Sequence, residues 1–419
     1  MSERRKIVSF VHSTWFASRS IICPVKAIEF EIIKRGAGLA RAGVIHTPHG
    51  KISTPSFSVA ATKAAVKALS VDDVKKLGGQ SVLANTYHLI LQPGVDVISQ
   101  SGGLAKFMNW DGPTFTDSGG FQIFSLGMAY DRGLKETVKA VSKTQKNRVK
   151  VTDEGARFRS HIDGSWLEMT PESSMRAQHT IGSDIHMAFD QLTSPSAPRD
   201  EIRMAMERTH AWADRCLIEH DKLNRQHTKN KEPLQALYGV VQGAHELDLR
   251  RESASFLAKR NFDGFGIGGV FVPEEIPKYV NLVNQILPED KPRHLLGMGA
   301  QPLDLFLGVE NGIDTFDCVA PTRQARNGAL YTNKGRINIL NASNKTDFSQ
   351  IDAECACNVC QNYSRAYLHH LFKSNEILAS MLASQHNEFF VVNLVAKIRQ
   401  AILDGNYLEL KEGFLKAYY

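Results

Sequence analysis

Residues 114–120 read Thr-Phe-Thr-Asp-Ser-Gly-Gly, a short apolar run that ends in an acidic, glycine-containing loop. Strand-like runs of this kind occur eight times, and amphipathic, helix-like segments separate most of them, for example Pro171–Ile181 and Arg199–Leu223. Strands and helices that alternate eight times predict an α/β fold, a parallel (β/α)8 barrel of the TIM type. The eight predicted strands are Phe57–Ala61, Ser81–Ala84, Thr114–Thr116, Asp184–Phe189, Ala236–Val241, Gly264–Gly268, Arg293–Leu296 and Asp314–Phe316.

Polar residues or glycines follow the last six of these strands. In a parallel barrel such positions all lie at the C-terminal mouth, where barrel enzymes place their chemistry. Residues far apart in the sequence are therefore expected to converge there. In strand order the positions are Asp117–Gly120, Asp190, Gln242 with Gly243, Gly269, Gly297–Gly299 and Asp317.

The 419 residues divide into three parts. Residues 27–340 are expected to form the catalytic barrel, with a basic insertion at 127–147, and residues 341–419 a zinc-binding, helical region packed on it. Residues 1–26 form an extension of unknown role, in which polar residues interrupt the apolar run and disfavour a secretory signal. No apolar stretch approaches the ~18 residues of a membrane span, so the expected location is the cytoplasm.

The net charge of +6 is compatible with nucleic-acid binding but falls short of a polybasic protein. Composition alone therefore leaves an ordinary basic enzyme and an RNA-acting enzyme both open.

Three cysteines, Cys355, Cys357 and Cys360, lie close together with Cys-x-Cys-x2-Cys spacing. Three thiolates so close to one another need a cation, and zinc with four sulfur or nitrogen ligands is the natural choice. Candidates for the fourth ligand are His369, His370 and His386, and spacing does not choose between them. A full ligand set predicts one structural zinc ion per chain.

Asp117 and Asp317 each stand in a compact motif after a predicted strand. A pair of acids at a glycosidic bond is the minimum for chemistry that retains configuration, because one attacks the anomeric carbon while the other carries the proton. Asp-Ser-Gly-Gly is also a good turn sequence, so Asp117 alone is compatible with a structural role. Asp317 at the end of an apolar strand is costly to bury without a partner or a task.

The other positions at the predicted mouth fit the edge of a purine. The carboxylate of Asp190 can accept hydrogens from a guanine-like amide and amine, while the Gln242 amide and the Gly269 backbone can serve its carbonyl oxygen. Phe121 can stack on an extracted base.

These motifs together resemble the tRNA-guanine transglycosylases, the queuine tRNA-ribosyltransferase family, in their bacterial form. The similarity runs from about residue 27 to the C-terminus, and no further RNA-binding domain follows the cysteine region. The similar stretches are Thr116–Gln122, Arg157–Gly164, Gly182–Ile185, Gly239–Gly243, Gly266–Gly269, Phe316–Val319 with Pro321–Arg323, Asn327-Gly328 and the cysteine cluster.

The resemblance implies a role for each of these positions. Asp317 resembles the nucleophile and Asp117 the general acid/base, and His386 corresponds to the fourth zinc ligand. The implied base-binding residues are Asp117, Ser118, Gly119, Gly120, Phe121, Asp190, Gln242 and Gly269. The segment that reads the wobble region of the anticodon loop corresponds to Thr322, Arg323, Gln324, Ala325 and Arg326.

The implied reaction belongs to queuosine biosynthesis. The wobble guanine of tRNAs with GUN anticodons (for Asp, Asn, His and Tyr) would be exchanged for 7-aminomethyl-7-deazaguanine by double displacement through a covalent enzyme–RNA intermediate. The expected partners are the anticodon stem-loop, guanine and 7-deazaguanine bases, and a second copy of the chain in a homodimer.

Two departures from the bacterial pattern leave the incoming base open, with queuine as the alternative. Gln191-Leu192 stands where Glu-Cys is usual, and Val270–Pro273 also differs. A non-catalytic tRNA-binding subunit is the alternative from another class, disfavoured because both carboxylates and all four zinc ligands are present. A plain glycoside hydrolase would leave the cysteines and the purine-edge residues unexplained.

Overall fold

A computed structural model describes residues 26–123, 149–194, 196–269 and 272–419. The predicted basic insertion at 127–147 lies outside the described residues. So does the N-terminal extension, apart from Lys26.

The described residues contain sixteen strands in four sheets. In chain order the strands are β1 (Glu29–Arg35), β2 (Arg41–Thr47), β3 (Gly50–Thr54), β4 (Ser56–Ala60), β5 (Val82–Asn85), β6 (Thr114–Asp117), β7 (Val149–Val151), β8 (Ala156–Arg159), β9 (Trp166–Met169), β10 (Ile185–Met187), β11 (Ala236–Val241), β12 (Gly264–Ile267), β13 (Arg293–Leu295), β14 (Thr315–Cys318), β15 (Ala329–Thr332) and β16 (Gly335–Asn338).

Eight of these strands close into a parallel barrel in the order β4, β5, β6, β10, β11, β12, β13 and β14, and β14 pairs with β4. They are the eight strands predicted from the sequence, with ends that differ by at most two residues. The (β/α)8 prediction is confirmed. The last residues of the barrel strands therefore share one rim.

An antiparallel sheet of β1, β2 and β3 covers the opposite end of the barrel. Its Ile45 and Ile52 are fully buried in one cluster with Phe115 and Tyr238 of the barrel strands. Two ion pairs fasten this sheet at the N-terminal ends of β14 and β10. Arg41 donates to both oxygens of Asp314, and the Nδ1 atom of His49 lies 2.6 Å from Asp184. The base of the barrel is thereby closed.

The helices lie around the barrel and at its C-terminal region. In chain order they are α1 (Val71–Lys76), α2 (Thr86–Leu91), α3 (Val95–Gln100), α4 (Leu104–Met108), α5 (Pro171–Ile181), α6 (Arg199–Asn230), α7 (Leu247–Ala258), α8 (Ile276–Asn284), α9 (Pro302–Glu310), α10 (Ala320–Arg326), α11 (Asn358–Asn362), α12 (Arg365–Lys373), α13 (Ile377–Asp404) and α14 (Tyr407–Tyr418), with 3₁₀ turns at Pro273–Glu275 and Ala342–Thr346.

Helix α5 illustrates how local sequence sets these boundaries. Thr170 caps its start by accepting from the backbone of Ser173, Pro171 occupies the first turn, and Gly182 ends the helix with φ +76°. A proline at the start and a left-handed glycine at the end are the signals that helices prefer. The predicted boundaries of this helix are correct.

Helix α6 is longer than its apolar pattern predicts. The prediction stopped at Leu223, whereas the helix continues to Asn230 through a wholly polar turn. The side chains of Asn224 and His227 contact the backbone carbonyls of Gln235 and Pro233, so the returning chain holds the last turns. Such long-range contacts leave no periodicity in the sequence.

The long helix α13 connects the C-terminal region to both ends of the barrel. Its Arg399 donates to the carbonyls of Gly43 and Thr54 at the closed end. Its Asn387 donates to the carbonyls of Pro321 and Ala329, which flank the rim. None of the helices in the described part of the chain has the length and apolar character that crossing a bilayer needs.

Candidate active site

A cavity of about 360 Å³ opens at the C-terminal rim of the barrel. This volume falls within the range of ~300–1,000 Å³ that is usual for small-molecule sites. The predicted residues that line it are Asp117, Ser118, Phe121, Asp190, Gln242, Gly269, Asp317 and Arg323, and apolar side chains that include Leu83, Met187, Leu192, Val240 and Leu296 complete the wall. Residues separated by two hundred positions in the chain thus share one pocket.

Asp317 lies near the end of β14 with its side chain 13% exposed. Nε2 of His294 and the backbone N–H of Gly297 both lie within hydrogen-bonding distance of its Oδ1 atom, at 3.1 and 2.9 Å. An ionised carboxylate only accepts, so Nε2 carries the hydrogen, and Nδ1 then accepts from Thr315 at 2.9 Å. The two donors hold Oδ1 and leave Oδ2 as the oxygen able to attack.

Asp117 ends β6 and is held by the end of β5, by the residue that follows it, and by its own loop. The backbone N–H groups of Thr86 and Gly119 donate to Oδ1, each at 3.1 Å, and the Asn85 amide donates to Oδ2. Burial, helped by the negative charge of Asp317, raises the pKa of Asp117 to about 7 although these hydrogen bonds oppose the shift. A carboxyl group with this pKa can give and take a proton near neutral pH.

Asp190 and Gln242 form a connected pair on another wall of the cavity. Nε2 of Gln242 donates to Oδ2 of Asp190 at 2.7 Å, and Oγ of Ser118 donates to Oδ1 at 3.0 Å. Burial raises the pKa of Asp190 in spite of these two donors. The carboxylate and the amide are therefore preset side by side, as recognition of a purine edge needs.

Two glycines of the 117–120 loop are required by its close packing. A Cβ atom at Gly120 would lie 2.6 Å from the carbonyl oxygen of Asp190. Gly119 has φ +83°, a left-handed conformation that other residues adopt at a cost. Phe121, directly after the loop, is 54% exposed and lines the cavity.

The predicted RNA-reading segment forms helix α10 beside the cavity. Arg323 is exposed on the cavity rim, and Gln324 and Arg326 are partly exposed. The side chains of Thr322 and Ala325 are buried, 3% and 0% exposed. Contacts to RNA through side chains are thus open to only part of the predicted segment in this conformation.

The structure brings the three cysteines and His386 together in a buried cluster, with one ligand atom of each residue within 4.8 Å of the others. The sulfur atoms of Cys357 and Cys360 lie 3.4 Å from Nδ1 of His386, and that of Cys355 lies 3.9 Å away. Tetrahedral zinc, with bonds of ~2.3 Å to sulfur and ~2.0 Å to nitrogen, would place these atoms about 3.6 Å apart. The cluster therefore has the donors and the spacing to hold a metal ion such as zinc.

The hydrogen bonds around the cluster explain why His386 and not its neighbours joins the cysteines. Nε2 of His386 lies 2.6 Å from the carbonyl of Tyr331, which fixes Nδ1 as the nitrogen with a free lone pair. His369 instead lies with Nδ1 2.8 Å from the carbonyl of Ile339, and His370 is exposed.

A second group of buried histidines, His179, His186 and His220, has a different organisation. The backbone of Gln235 orients the Asn224 amide, which donates to Nε2 of His220. His220 must then carry its hydrogen on Nδ1 and donate it to His179 at 2.9 Å. The His220 nitrogen that faces His179 therefore carries a hydrogen and has no lone pair for a metal, while Nε2 of His186 lies 3.2 Å from the carbonyl of Ser183.

Sequence reasoning missed the residues that hold the two acids. Asn85 follows a predicted strand directly, so the rule that selected Asp117 and Asp190 would also have selected it. His294 lies inside a strand, fully buried and stacked on Phe115 with ring centroids 5.5 Å apart. A histidine within an apolar run was its only mark in the sequence.

Two carboxyl groups on one cavity at the mouth of a (β/α)8 barrel are the arrangement that enzymes of glycosyl transfer use. The family model described as queuine tRNA-ribosyltransferase matches residues 36–419 of this chain. The chain belongs to this family of tRNA-guanine transglycosylases, which are pentosyltransferases, so the family and enzyme class predicted from the motifs are confirmed.

Three relatives are similar over nearly the whole chain. A queuine tRNA-ribosyltransferase of Caldanaerobacter subterraneus subsp. tengcongensis is 45% identical over 397 residues, covering 94% of this chain and 98% of its own. One of Shouchella clausii is 43% identical, with 94% and 97% covered. One of Lactococcus lactis subsp. cremoris is 44% identical, with 94% and 96% covered.

Proposed function

We propose that this chain exchanges a guanine in the anticodon loop of tRNA for a 7-deazaguanine base by double displacement. The observation that carries the proposal is the pairing of two differently held carboxyl groups, Asp317 and Asp117, on one cavity. The names of the relatives and the basic net charge support an RNA substrate.

The first displacement is assigned to Asp317. Its free oxygen attacks C1′ of the ribose, the bond from C1′ to the guanine nitrogen breaks, and guanine leaves with the bonding electrons. Asp117, whose pKa of about 7 leaves it partly protonated at neutral pH, gives its proton to the departing base. A covalent aspartyl–RNA ester remains.

The second displacement reverses these roles. The incoming base loses its ring N–H proton to the ionised Asp117 and its nitrogen attacks C1′, releasing the Asp317 carboxylate. Two inversions give net retention at the ribose, and the proton returns to the residue that supplied it. The two displacements balance in bonds and protons without a nucleotide cofactor or an oxidant.

Recognition of the base is assigned to the preset pair of Asp190 and Gln242. The Asp190 carboxylate would accept from the amide and amine hydrogens of guanine, and Gln242 and the backbone of Gly269 would donate to its carbonyl oxygen. Phe121, Ser118, Gly119 and Gly120 would complete the pocket. Extruding the base costs a few kcal/mol, which stacking and edge contacts offset.

The incoming base is proposed to be 7-aminomethyl-7-deazaguanine, with queuine as the alternative. Gln191 turns its side chain toward Arg208 at 2.8 Å, and Leu192 faces the cavity. The part of the pocket formed by this pair is therefore apolar. Incubating the protein with a stem-loop that carries labelled guanine at the wobble position, and with each base in turn, shows which one displaces the label.

The anticodon range is proposed to be GUN. Adenine at the target position lacks the 2-amino group of guanine and has an acceptor where guanine has its N1–H donor. Exchange should therefore stop, while salt-sensitive binding of the RNA persists. Equal exchange of adenine would overturn the assignment of Asp190 and Gln242.

The cysteine–histidine cluster is proposed to hold one structural zinc ion, bound by Cys355, Cys357, Cys360 and His386. Zinc bound there would tie the loop of the cysteines to helix α13 and so to the rim. His386→Ala should lose the metal and destabilise the C-terminal region, while His369→Ala and His370→Ala should keep it. Zinc retained in His386→Ala and lost in either control would refute this ligand set.

The three-part organisation, a homodimer and a cytoplasmic location complete the proposal by resemblance. Limited proteolysis checks the proposed boundaries at 26 and 340, and sedimentation checks the dimer.

A further inference from the structure

One buried arginine connects two loops of the base cavity. Gln242 and Ala244 belong to the loop after β11, and Gly268 and Gly269 belong to the loop after the adjacent strand β12. Arg250, on helix α7, is fully buried, and the described residues that line the cavity do not include it. Its Nε donates to the carbonyl of Ala244 at 2.7 Å, and its Nη1 donates to the carbonyl of Gly268 at 2.8 Å.

Helix α7 holds the first of these loops in an unfavourable conformation. Ala244 has φ +44°, in the left-handed region that a residue with a Cβ atom adopts at a cost. Gly243 precedes it with φ +119°, and a Cβ atom there would lie 2.7 Å from the backbone nitrogen of Arg250. Ser253, one turn later on α7, accepts from the backbone N–H of Gln242 at 3.2 Å. The position of Gln242 therefore depends on α7.

In the second loop, the carbonyl of Gly268 and the N–H of Gly269 belong to one peptide group. This peptide is trans, so the two groups point in opposite directions. Because the carbonyl points to Arg250, the N–H points away from it, toward the cavity that both glycines line. No described residue accepts from this N–H. A Cβ atom at Gly268 would lie 3.0 Å from Nε2 of Gln242, so the peptide lies beside the Gln242 amide.

Arg250 carries its charge at neutral pH although it is buried. Burial lowers its pKa to about 9, and the negative charges of Tyr279 and Glu275 oppose the shift. A charged donor makes a stronger hydrogen bond than a neutral one, and a hydrogen bond to the oxygen of a peptide polarises the N–H of the same peptide. The N–H of Gly269 is therefore fixed in direction and strengthened as a donor.

We infer that Arg250 is a positioning residue that makes the cavity specific for a base with a carbonyl oxygen next to its ring N–H, as in guanine and the 7-deazaguanines. This inference rests on the proposed function, in which Gln242 and Gly269 donate to that oxygen. Arg250 holds the backbone of both donors and touches no base atom itself. A base with an amine or a hydrogen at this position would meet donors that it cannot satisfy.

The test measures the dissociation constants of free guanine and of 6-thioguanine by calorimetry. In 6-thioguanine a sulfur atom, which is a weak acceptor, replaces the oxygen, while the ring N–H and the amine remain. Arg250→Met removes the donors in a side chain of similar length. It should weaken guanine binding roughly tenfold and 6-thioguanine binding by less than about threefold. Arg250→Lys keeps the charge without the planar fork for two carbonyls, so its effect should lie between wild type and Arg250→Met.

Arg293 provides the matched control. It is also buried, and its guanidinium donates to the backbone carbonyl of Leu287 at the N-terminal end of β13, away from the cavity. Arg293→Met should lower the melting temperature and leave the ratio of the two dissociation constants unchanged. Arg250→Met should lower the melting temperature as well, so the ratio decides the test.

An unchanged ratio in Arg250→Lys, or in a folded Arg250→Met, would overturn the proposal. An equal fall of the ratio in Arg293→Met would do the same, because lost stability would then account for the effect. Failure of the proposed function gives a different result. In that case the wild-type protein itself binds guanine no better than 6-thioguanine, and the role of Arg250 falls with the assignment of Gln242 and Gly269.

Discussion

Asp317 and Asp117 both end strands of the barrel, β14 and β6, and two strands separate them around the rim. Asp317 receives hydrogen bonds from His294 and Gly297 on one oxygen, and no donor among the described residues reaches the other. Asp117 receives donors on both oxygens, from Asn85, Thr86 and Gly119. The two acids share a pocket, but their partners hold them differently.

This difference supports the proposed roles, Asp317 as the nucleophile and Asp117 as the proton carrier. A nucleophile needs an oxygen that no donor occupies, and both donors to Asp317 lie on the opposite oxygen. A proton carrier needs a pKa near the working pH, and burial with a neighbouring anion raises the pKa of Asp117 to about 7. Four changes test this division, from the largest expected effect to the smallest.

Asp317→Asn removes the attacking oxygen's charge and should abolish the covalent adduct. Base exchange should fall by at least about 10³-fold because no second route reaches C1′ in the same pocket. A denaturing gel of protein mixed with labelled stem-loop measures the adduct. An adduct that persists in Asp317→Asn and disappears in Asp117→Asn would reverse the two roles.

Asp117→Asn keeps a polar side chain of the same size and removes the transferable proton. RNA binding should remain near the wild-type level, while exchange falls by roughly 10²- to 10⁴-fold, the usual contribution of general acid–base catalysis. Binding by fluorescence anisotropy and exchange of labelled guanine separate the two effects. Full activity in this variant would show that Asp117 only supports the turn and transfers no proton.

The two half-reactions should have opposite pH dependence. Adduct formation needs protonated Asp117, so its rate should fall about tenfold per unit above pH 7. Attack by the incoming base needs ionised Asp117, so its rate should rise up to about pH 7 and then level off. Single-turnover formation of the adduct and its chase by the incoming base measure the two pH dependences. Both pH dependences should disappear in Asp117→Asn. Parallel profiles would contradict the assignment.

The barrel and both acids could be predicted from the sequence because the ends of the barrel strands share one local pattern. Each barrel strand is a short apolar run, and a parallel barrel brings the residue after each run to one rim. The sequence therefore predicts a common site for Asp117, Asp190 and Asp317. The local sequence marks each of these residues, and the order of the strands in the barrel brings them together at the rim.

What the sequence could not supply depends on contacts between distant segments. The spacing of His369, His370 and His386 did not choose a ligand, since the choice depends on how α13 folds back over the cysteines. In the sequence, His294 is no more than one residue of an apolar strand. Its contact with Asp317 follows from the register of β13 against β14, which the sequence does not show. The orientation of α10, which buries Thr322 and Ala325, is likewise set by Asn387 of α13.

His294→Phe is the smallest and most specific test of the comparison. The phenyl ring can keep the stacking on Phe115 and fill the buried space, and it removes the donor to Oδ1 of Asp317. The nucleophile would then lose one of two anchors, so the rate of adduct formation should fall roughly tenfold at unchanged KM, since misplacement by a fraction of an ångström is costly. His294→Gln, which retains an N–H donor at a similar distance, should recover part of the rate. Equal loss in both variants, with a lowered melting temperature, would show that His294 supports the core of the barrel and not the position of Asp317.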